Sequence, residues 1–257
     1  MVYKAHAKVN IFLKIVGTRG AYHEIQSRFM LVESLYDVLG FCPKKTKEAF
    51  ELVGDFNCPN QSNTLYKMYQ LLRKQGYAEQ VDALFENVAL HVKKNIPTGA
   101  GLGGGSSDCA TFLKMVNEMA NLGLCEEQML QFSQAIGADV AFFTSGYKSA
   151  NVSGIGEMVE YFDETLLDIE VFTPPIECDT ALVYQTYREH FLHKEEREDI
   201  LAMRNKHSDE LLNAYSKEEL NDLYAASLKV YPALEAYAKE GWFFSGSGSS
   251  FFRINNG

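Results

Sequence analysis

Residues 97–108 read PTGAGLGGGSSD, with five glycines inside the seven positions 99–105. Before this run, ALFENVALHVKKNIP reads as a strand entering it. After it, Cys109, Leu113, Val116 and Ala120 recur at helical spacing, with Phe112 and Met119 beside them. Any fold for this chain must therefore place a strand, a glycine turn and a helix in that order. Ser106 and Ser107 are natural N-caps for the helix, and Asp108 suits its positive end. A flexible linker does not need flanking elements of this kind. A dinucleotide fingerprint is matched by Gly99, Gly101 and Gly104, but any run so rich in glycine matches it by chance. A helix starting at the serines would also begin too late, and no acid follows a strand about twenty residues on. A Walker A loop would need Lys where Gly105 stands. What fits is another kind of phosphate cradle. Glycines let successive backbone N–H groups turn toward an anion, and the helix start adds further donors.

The 257 residues can form one large domain or two medium ones. A net charge of −10 argues against general binding to nucleic acid or to anionic membranes. Cys42, Cys58, Cys109, Cys125 and Cys178 are scattered, with no CxxC pair, which reads as reduced thiols in a cytoplasmic protein. The N-terminus has no signal-peptide core, and no apolar run is long enough to span a membrane.

At the N-terminus, Ala5, Ala7, Val9, Ile11, Leu13 and Ile15 alternate with Lys4, His6, Lys8, Asn10 and Lys14. This period predicts a half-buried strand with Lys8 and Asn10 on its wet face. GTRGAYHEIQS reads as a loop returning to a second apolar segment. A helix is expected around EEQMLQFSQAIG, stopping near Gly137. SANVSGIGEMVEYF reads as strand and turn, and DIEVFTPPIECDTALVYQTYREHF as strand, break and helix start. Helical patterns dominate from 195 to about 240, and GWFFSGSGSSFFRI reads as two strand pieces around a turn. Trp242 is expected in the core. His190 and His193, near Glu195 and Glu196, read as a solvated helix face rather than a metal site, and HKEERED at 193–199 as exposed and salt-bridged.

The glycine run resembles the second signature of the GHMP kinases. AKVNIFLKIVGTRGAYHEI, GADVAFF at 137–143, SGIGE at 153–157 and SGSGSSFF at 245–252 agree with that superfamily in order and spacing. Cys109, Ala141 and Ala21 depart from its pattern, and ECDTALVY, with Asp179 and Thr180, matches it loosely. Within the superfamily, KVNIFL with GAYHEI is most similar to the branch acting on a cytidine diphosphate-linked methylerythritol. The resemblance implies an α/β (α+β) two-domain fold. An N-terminal ribosomal-protein-S5-like domain over 1–155 would carry the phosphate loop, and a C-terminal ferredoxin-like domain would span 156–257. It implies ATP and Mg²⁺ as cofactors. Pro97, Thr98, Gly99, Ala100, Gly101, Leu102, Gly103, Gly104, Gly105, Ser106 and Ser107 would bind ATP, with no dedicated protein metal site. Asp139 would be the general base and Lys8 the cation that orients it and offsets phosphoryl charge. Asn10, Tyr22, His23 and Tyr184 would bind the acceptor, because a cytosine ring takes a flat partner and a donor–acceptor pair. The implied partner is thus a small molecule, with neither nucleic acid nor membrane, and the chain a monomer or weak dimer. For Asp139 alone a helix N-cap is the plainer reading, and for Lys8 a solvated strand lysine. A kinase for another small alcohol such as homoserine or mevalonate, or a non-catalytic nucleotide-binding protein, stays open.

Overall fold

The structure is a computed structural model that describes residues 2–192 and 198–255. The run HKEERED, with His193, Glu195 and Glu196, therefore lies outside the described residues or at their margin. The chain divides into two compact units, each assembled from separate stretches. One holds 1–7, 35–96 and 104–146, and the other 8–34, 97–103 and 147–257. Two long strands, β1 (Val2–Arg19) and β2 (Tyr22–Pro43), contribute residues to both.

In the first unit, β3 (Leu52–Gly54) runs parallel to β4 (Val88–Lys93), and β4 pairs antiparallel with the Val38–Pro43 half of β2. Five helices complete it: α1 (Thr64–Leu72), α2 (Ala78–Leu84), α3 (Gly104–Met119), α4 (Glu126–Ile136) and α5 (Val140–Ser145). Helix α3 buries Cys109, Phe112, Leu113 and Val116 of the stripe its spacing predicts, and Met115 besides, while Met119 is exposed and Ala120 lies just past the helix end. Phe112 joins an aromatic cluster in which Phe50 stacks on Tyr69 at 4.5 Å and meets Phe85 edge-on at 4.8 Å. Fully burying one such ring is worth about 1.5–3 kcal/mol. Helix α4 ends at Ile136 with Gly137 behind it, as expected.

In the second unit, the Ile25–Met30 part of β2 pairs antiparallel with β5 (Ser149–Gly154), which pairs with β6 (Met158–Tyr161). A separate sheet has the order β7 (Ile169–Phe172), β9 (Phe251–Ile254), β8 (Phe243–Phe244), all antiparallel. Helices α6 (Thr180–His190), α7 (Glu198–Asn205), α8 (Ser208–Ala214), α9 (Lys217–Leu220) and α10 (Leu223–Val230) fill the intervening sequence. Leu13, Ile15 and Ile25 pack with Val183, Tyr187, Leu223 and Ala226 in one core. A second core gathers Cys178, Tyr224, Leu234, Phe244 and Phe251. Trp242 is only half-buried at its margin, so the expectation of a core tryptophan is corrected.

Two further expectations change. GTRGAYHEIQS is not a loop. Both strands run through it, leaving only Gly20 and Ala21 as the turn, with Gly20 at φ +61°. Nor is β1 half-buried, because every residue from Ala7 to Ile15 is buried. The polar face is covered too, and each polar group finds a partner there. The Lys14 ammonium pairs with Asp222 and donates to the Glu219 carbonyl at 2.7 Å, while the other Asp222 oxygen accepts from the Ile15 amide at 2.8 Å. Alternation alone distinguishes apolar from polar faces, not dry from wet ones.

Removing one partner of a buried ion pair leaves the other charge stranded, at a cost of about 3–5 kcal/mol. Asp222→Ala should lose stability of that order in urea unfolding. A loss below about 1 kcal/mol would show that the pair does not anchor β1.

Candidate functional site

The glycine run is built from both its neighbours in sequence and its tertiary partners. Within the second unit, the four carbonyls of Gly99, Ala100, Gly101 and Leu102 all find donors. Gly99 accepts from the Cys178 amide at 3.0 Å and Ala100 from the Ser250 amide at 3.1 Å. Gly101 accepts from the Ser245 hydroxyl at 3.0 Å and Leu102 from the Lys8 amide at 3.0 Å. Gly99, Gly101 and Gly103 have φ of +61°, +73° and +70°, alternating with Ala100 and Leu102, whose side chains are buried. This alternation is the backbone pattern of an anion-binding nest. At Gly101 only glycine fits, since an added Cβ would lie 2.2 Å from the Ser245 carbonyl oxygen.

Helix α3 starts at Gly104, not at the serines, so Ser106 and Ser107 lie inside its first turn and do not cap it. Glycine therefore does open the helix, and that ground for setting aside a dinucleotide fingerprint falls. The topology sets it aside instead: β4 is antiparallel to β2, and the chain leaves α3 into two further helices rather than a parallel strand. Asp108 does not face solvent at the helix start. It is buried, and one oxygen accepts from Lys94 at 2.7 Å, while Lys94 also pairs with buried Asp37. Asp37 in turn accepts from the amides of Asn95 at 2.5 Å and Ile96 at 2.8 Å, so this cluster holds the residues that lead into the glycine run. Burial pushes the Asp108 carboxyl up to about 7, against the pull of Lys94. Its second oxygen, Oδ1, is buried without a protein partner.

Lys8 is 4% exposed and Asn10 2%, which overturns the solvated-lysine reading. The Lys8 ammonium donates to Asn10 Oδ1 at 2.6 Å and lies 4.4 Å from the centre of the Phe29 ring. Asn10 Nδ2 donates to Ser27 Oγ at 3.0 Å, and the Asn10 amide donates to Ser245 Oγ at 3.2 Å. One serine hydroxyl thus joins the Lys8 strand to the glycine run. Asn221 holds that serine's loop by donating to the carbonyls of Phe244 and Gly246, both at 2.9 Å. The SGSGSS turn is therefore a brace for the loop. Its part was left open by sequence, and Asn221 and Ser27 carried no signal at all.

Asp139 belongs to the first unit and Lys8 to the second. Asp139 stands at the N-cap position of α5, yet its carboxylate makes no capping hydrogen bond to that helix. The plain N-cap reading is thereby removed. Asp179, in the loosely matching segment, is by contrast a true cap, accepting from the amides of Ala181 and Leu182.

His23 and Tyr184 come together, with ring centroids 5.2 Å apart, and Tyr187 meets His23 edge-on at 6.1 Å. Tyr22 is 64% exposed and His23 only 7%. Burial lowers the His23 pKa, and the nearby Arg188 charge lowers it further. The imidazole is thus neutral at neutral pH, with one nitrogen a donor and the other an acceptor. Its Nε2 is buried without a protein partner.

A family model described as the GHMP kinases N terminal domain matches residues 63–147. A 4-diphosphocytidyl-2-C-methyl-D-erythritol kinase of Sulfurimonas denitrificans is 52% identical over 256 residues, covering 98% of this chain and 96% of its own length. Another from Helicobacter pylori strain J99 is 40% identical, covering 99% and 94%. A crystal structure of 4-(cytidine 5'-diphospho)-2C-methyl-D-erythritol kinase matches with a TM-score of 0.71 at 27% identity, over 100% of this chain and 91% of that one. A mevalonate kinase crystal structure, with a TM-score of 0.60 at 13% identity over 100% and 91%, shares the fold.

The raised Asp108 pKa has a consequence for stability. Between the ordinary aspartate value of 3.8 and about 7, the folded chain keeps a proton that the unfolded chain releases. Stability should therefore fall as pH rises through that window, by at most about 1.4 kcal/mol per pH unit. Asp108→Asn lacks this titration, so its Tm relative to the native chain should climb from pH 5 to pH 8. A difference that stays flat with pH would contradict the buried-carboxyl account.

Proposed function

This chain belongs to the family of 4-diphosphocytidyl-2-C-methyl-D-erythritol kinases, within the GHMP kinases, and from that premise we propose how its residues do the work. It is a phosphotransferase with an alcohol acceptor and uses ATP. The reaction moves the γ-phosphoryl group of ATP to the C2 hydroxyl of 4-diphosphocytidyl-2-C-methyl-D-erythritol, a step in making isoprenoid precursors. The observation that carries the acceptor assignment is the buried, neutral imidazole of His23, with an unpartnered Nε2 beside the Tyr184 ring. A cytosine ring supplies both a face for stacking and an edge for that nitrogen.

Residues 97–107 would hold the ATP phosphates. The engagement of all four carbonyls from Gly99 to Leu102 within the protein, and the positive φ of Gly99, Gly101 and Gly103, both support this. Among the described residues no three His, Cys, Asp or Glu side chains cluster to hold a metal ion. Mg²⁺ keeps several waters and binds largely through nucleotide phosphates, so Ser106 and Ser107 suffice to reach it directly or through water. When bound, the ion neutralises charge on the transferring phosphate. Lys8, oriented by Asn10, would add a fixed positive charge and steer the acceptor hydroxyl. Asn10 has both ends of its amide engaged inside the protein, so it acts on the acceptor chiefly through Lys8. Asp139 would accept the hydroxyl proton. An ionised carboxylate is a weak base, so that transfer comes late, as the new O–P bond forms. A domain boundary near 155, a cytoplasmic location and a monomer or weak dimer complete the proposal. Among the described residues no helix is long and apolar enough to cross a membrane.

An ADP-release assay across cytidylated methylerythritol, homoserine and mevalonate tests the acceptor. Turnover of either of the last two, with none of the first, would overturn it. Asp139→Asn and Lys8→Met should each lower kcat by about 10²–10⁴-fold with the fold intact by circular dichroism. Near-native turnover of folded Asp139→Asn would end its role as base. His23→Ala should raise KM for the cytidylated acceptor about tenfold or more and leave KM for ATP nearly unchanged. Equal rises in both would argue against recognition of the base.

A further inference from the structure

Arg188 lies on α6 one turn beyond Tyr184, so the two side chains leave the same helix face. Its Nη2 donates to three successive carbonyls, those of Gly20, Ala21 and Tyr22, at 3.3, 3.1 and 3.3 Å. Gly20 and Ala21 form the turn between β1 and β2, and Tyr22 opens β2 and leads directly into His23. Neither Gly20 nor Ala21 has a polar side chain with which to tie its own backbone, the device that Asp or Asn brings to such turns. The guanidinium supplies the tie from outside. Arg188 Nε is also buried without a protein partner, as is His23 Nε2, and both belong to the second unit. Two buried polar atoms without a protein partner, on residues that interact with each other, are groups a ligand can engage.

We propose that Arg188 is a specificity-determining residue for the cytidine end of the acceptor, positioning the Gly20–Tyr22 turn and offering its Nε–H to an oxygen of that molecule. The inference rests on His23 being the base-recognition residue. The chemistry is complementary. A cytosine edge presents an amino donor at N4 and acceptors at N3 and O2. A neutral imidazole can accept from N4 through Nε2, while Arg188 donates to a ring or phosphate oxygen. Tyr184, Tyr187 and Arg188 surround His23, and the one positive charge among them opposes protonation of the imidazole. Uracil has an acceptor where cytosine has its amino group, so the same arrangement disfavours a uridylated acceptor.

The test is steady-state kinetics of Arg188→Ala and Arg188→Lys with cytidylated and uridylated methylerythritol. Arg188→Ala should raise KM for the cytidylated acceptor about tenfold and narrow the preference over the uridylated one, with kcat and KM for ATP within about twofold. Arg188→Lys, which keeps the charge but has no Nε–H, should fall between. It also serves if the alanine variant does not fold. Unchanged KM and preference in the folded variants would overturn the inference. So would an equal loss in kcat and in both KM values, which a purely structural role produces. Wild-type silence on the cytidylated acceptor would instead remove the functional reading on which the inference stands.

Discussion

The arrangement of the second unit depends on one buried contact line, where β1 from Lys8 to Asn10 lies against residues 101–102 of the glycine run. The Lys8 amide bonds the Leu102 carbonyl, and Ser245 Oγ bridges the Asn10 amide and the Gly101 carbonyl. The Ser245–Gly248 turn can approach this line so closely only because Gly101 has no side chain and sits at positive φ. The same contact excludes water from Lys8. Its ammonium would be costly to bury alone, and Asn10 and the Phe29 face offset that cost. A charge held in this way cannot relax into solvent, which is what a preorganised electrostatic catalyst requires.

The residues flanking the run are held by a different kind of interaction. Asp37, Lys94 and Asp108 form a buried charge cluster in the first unit, one acid bonding the amides at 95 and 96, the other sitting on α3. Such clusters add little net stability, because desolvation opposes the Coulomb attraction. They are directional, however, and this one ties the exit of β4 to the first turns of α3. Burial raises the Asp108 pKa, Lys94 opposes that rise, and the neighbouring Asp37 charge adds to it. The chain thus supports a mobile backbone type, glycine, with hydrogen bonds at every carbonyl in its middle and charges beside its ends.

Much of this was legible before any coordinates. The N-terminal strand, the α3 stripe, the stop of α4 at Gly137 and the terminal hairpin around SGSGSS all follow from local period and turn chemistry. The misreadings share a cause. Ser106 and Ser107 looked like caps because serine favours caps, but the glycines ahead of them already had helical backbone. Lys8, Asn10 and Lys14 looked solvated because polar residues on one strand face usually are. Here distant segments cover that face and answer each group, Asp222 for Lys14 and Ser245 with Ser27 for Asn10. Residues 17–27 looked like a loop because glycine and tyrosine-histidine interrupt the apolar pattern, yet two strands need only a two-residue turn.

The sequence by itself determined which groups are available: a glycine-rich backbone run, a lysine and an aspartate, and an adjacent tyrosine and histidine. Those are properties of residue types at short spacing, which the covalent chain carries everywhere. Only the tertiary structure decided which of those groups are dry, neutral or braced. Lys8 is buried with its amide on Leu102 and its ammonium against Asn10 and Phe29, and His23 is neutral because α6 brings Tyr184, Tyr187 and Arg188 against it. Desolvation and hydrogen-bond direction depend on neighbours tens or hundreds of residues away along the chain. No local pattern encodes them.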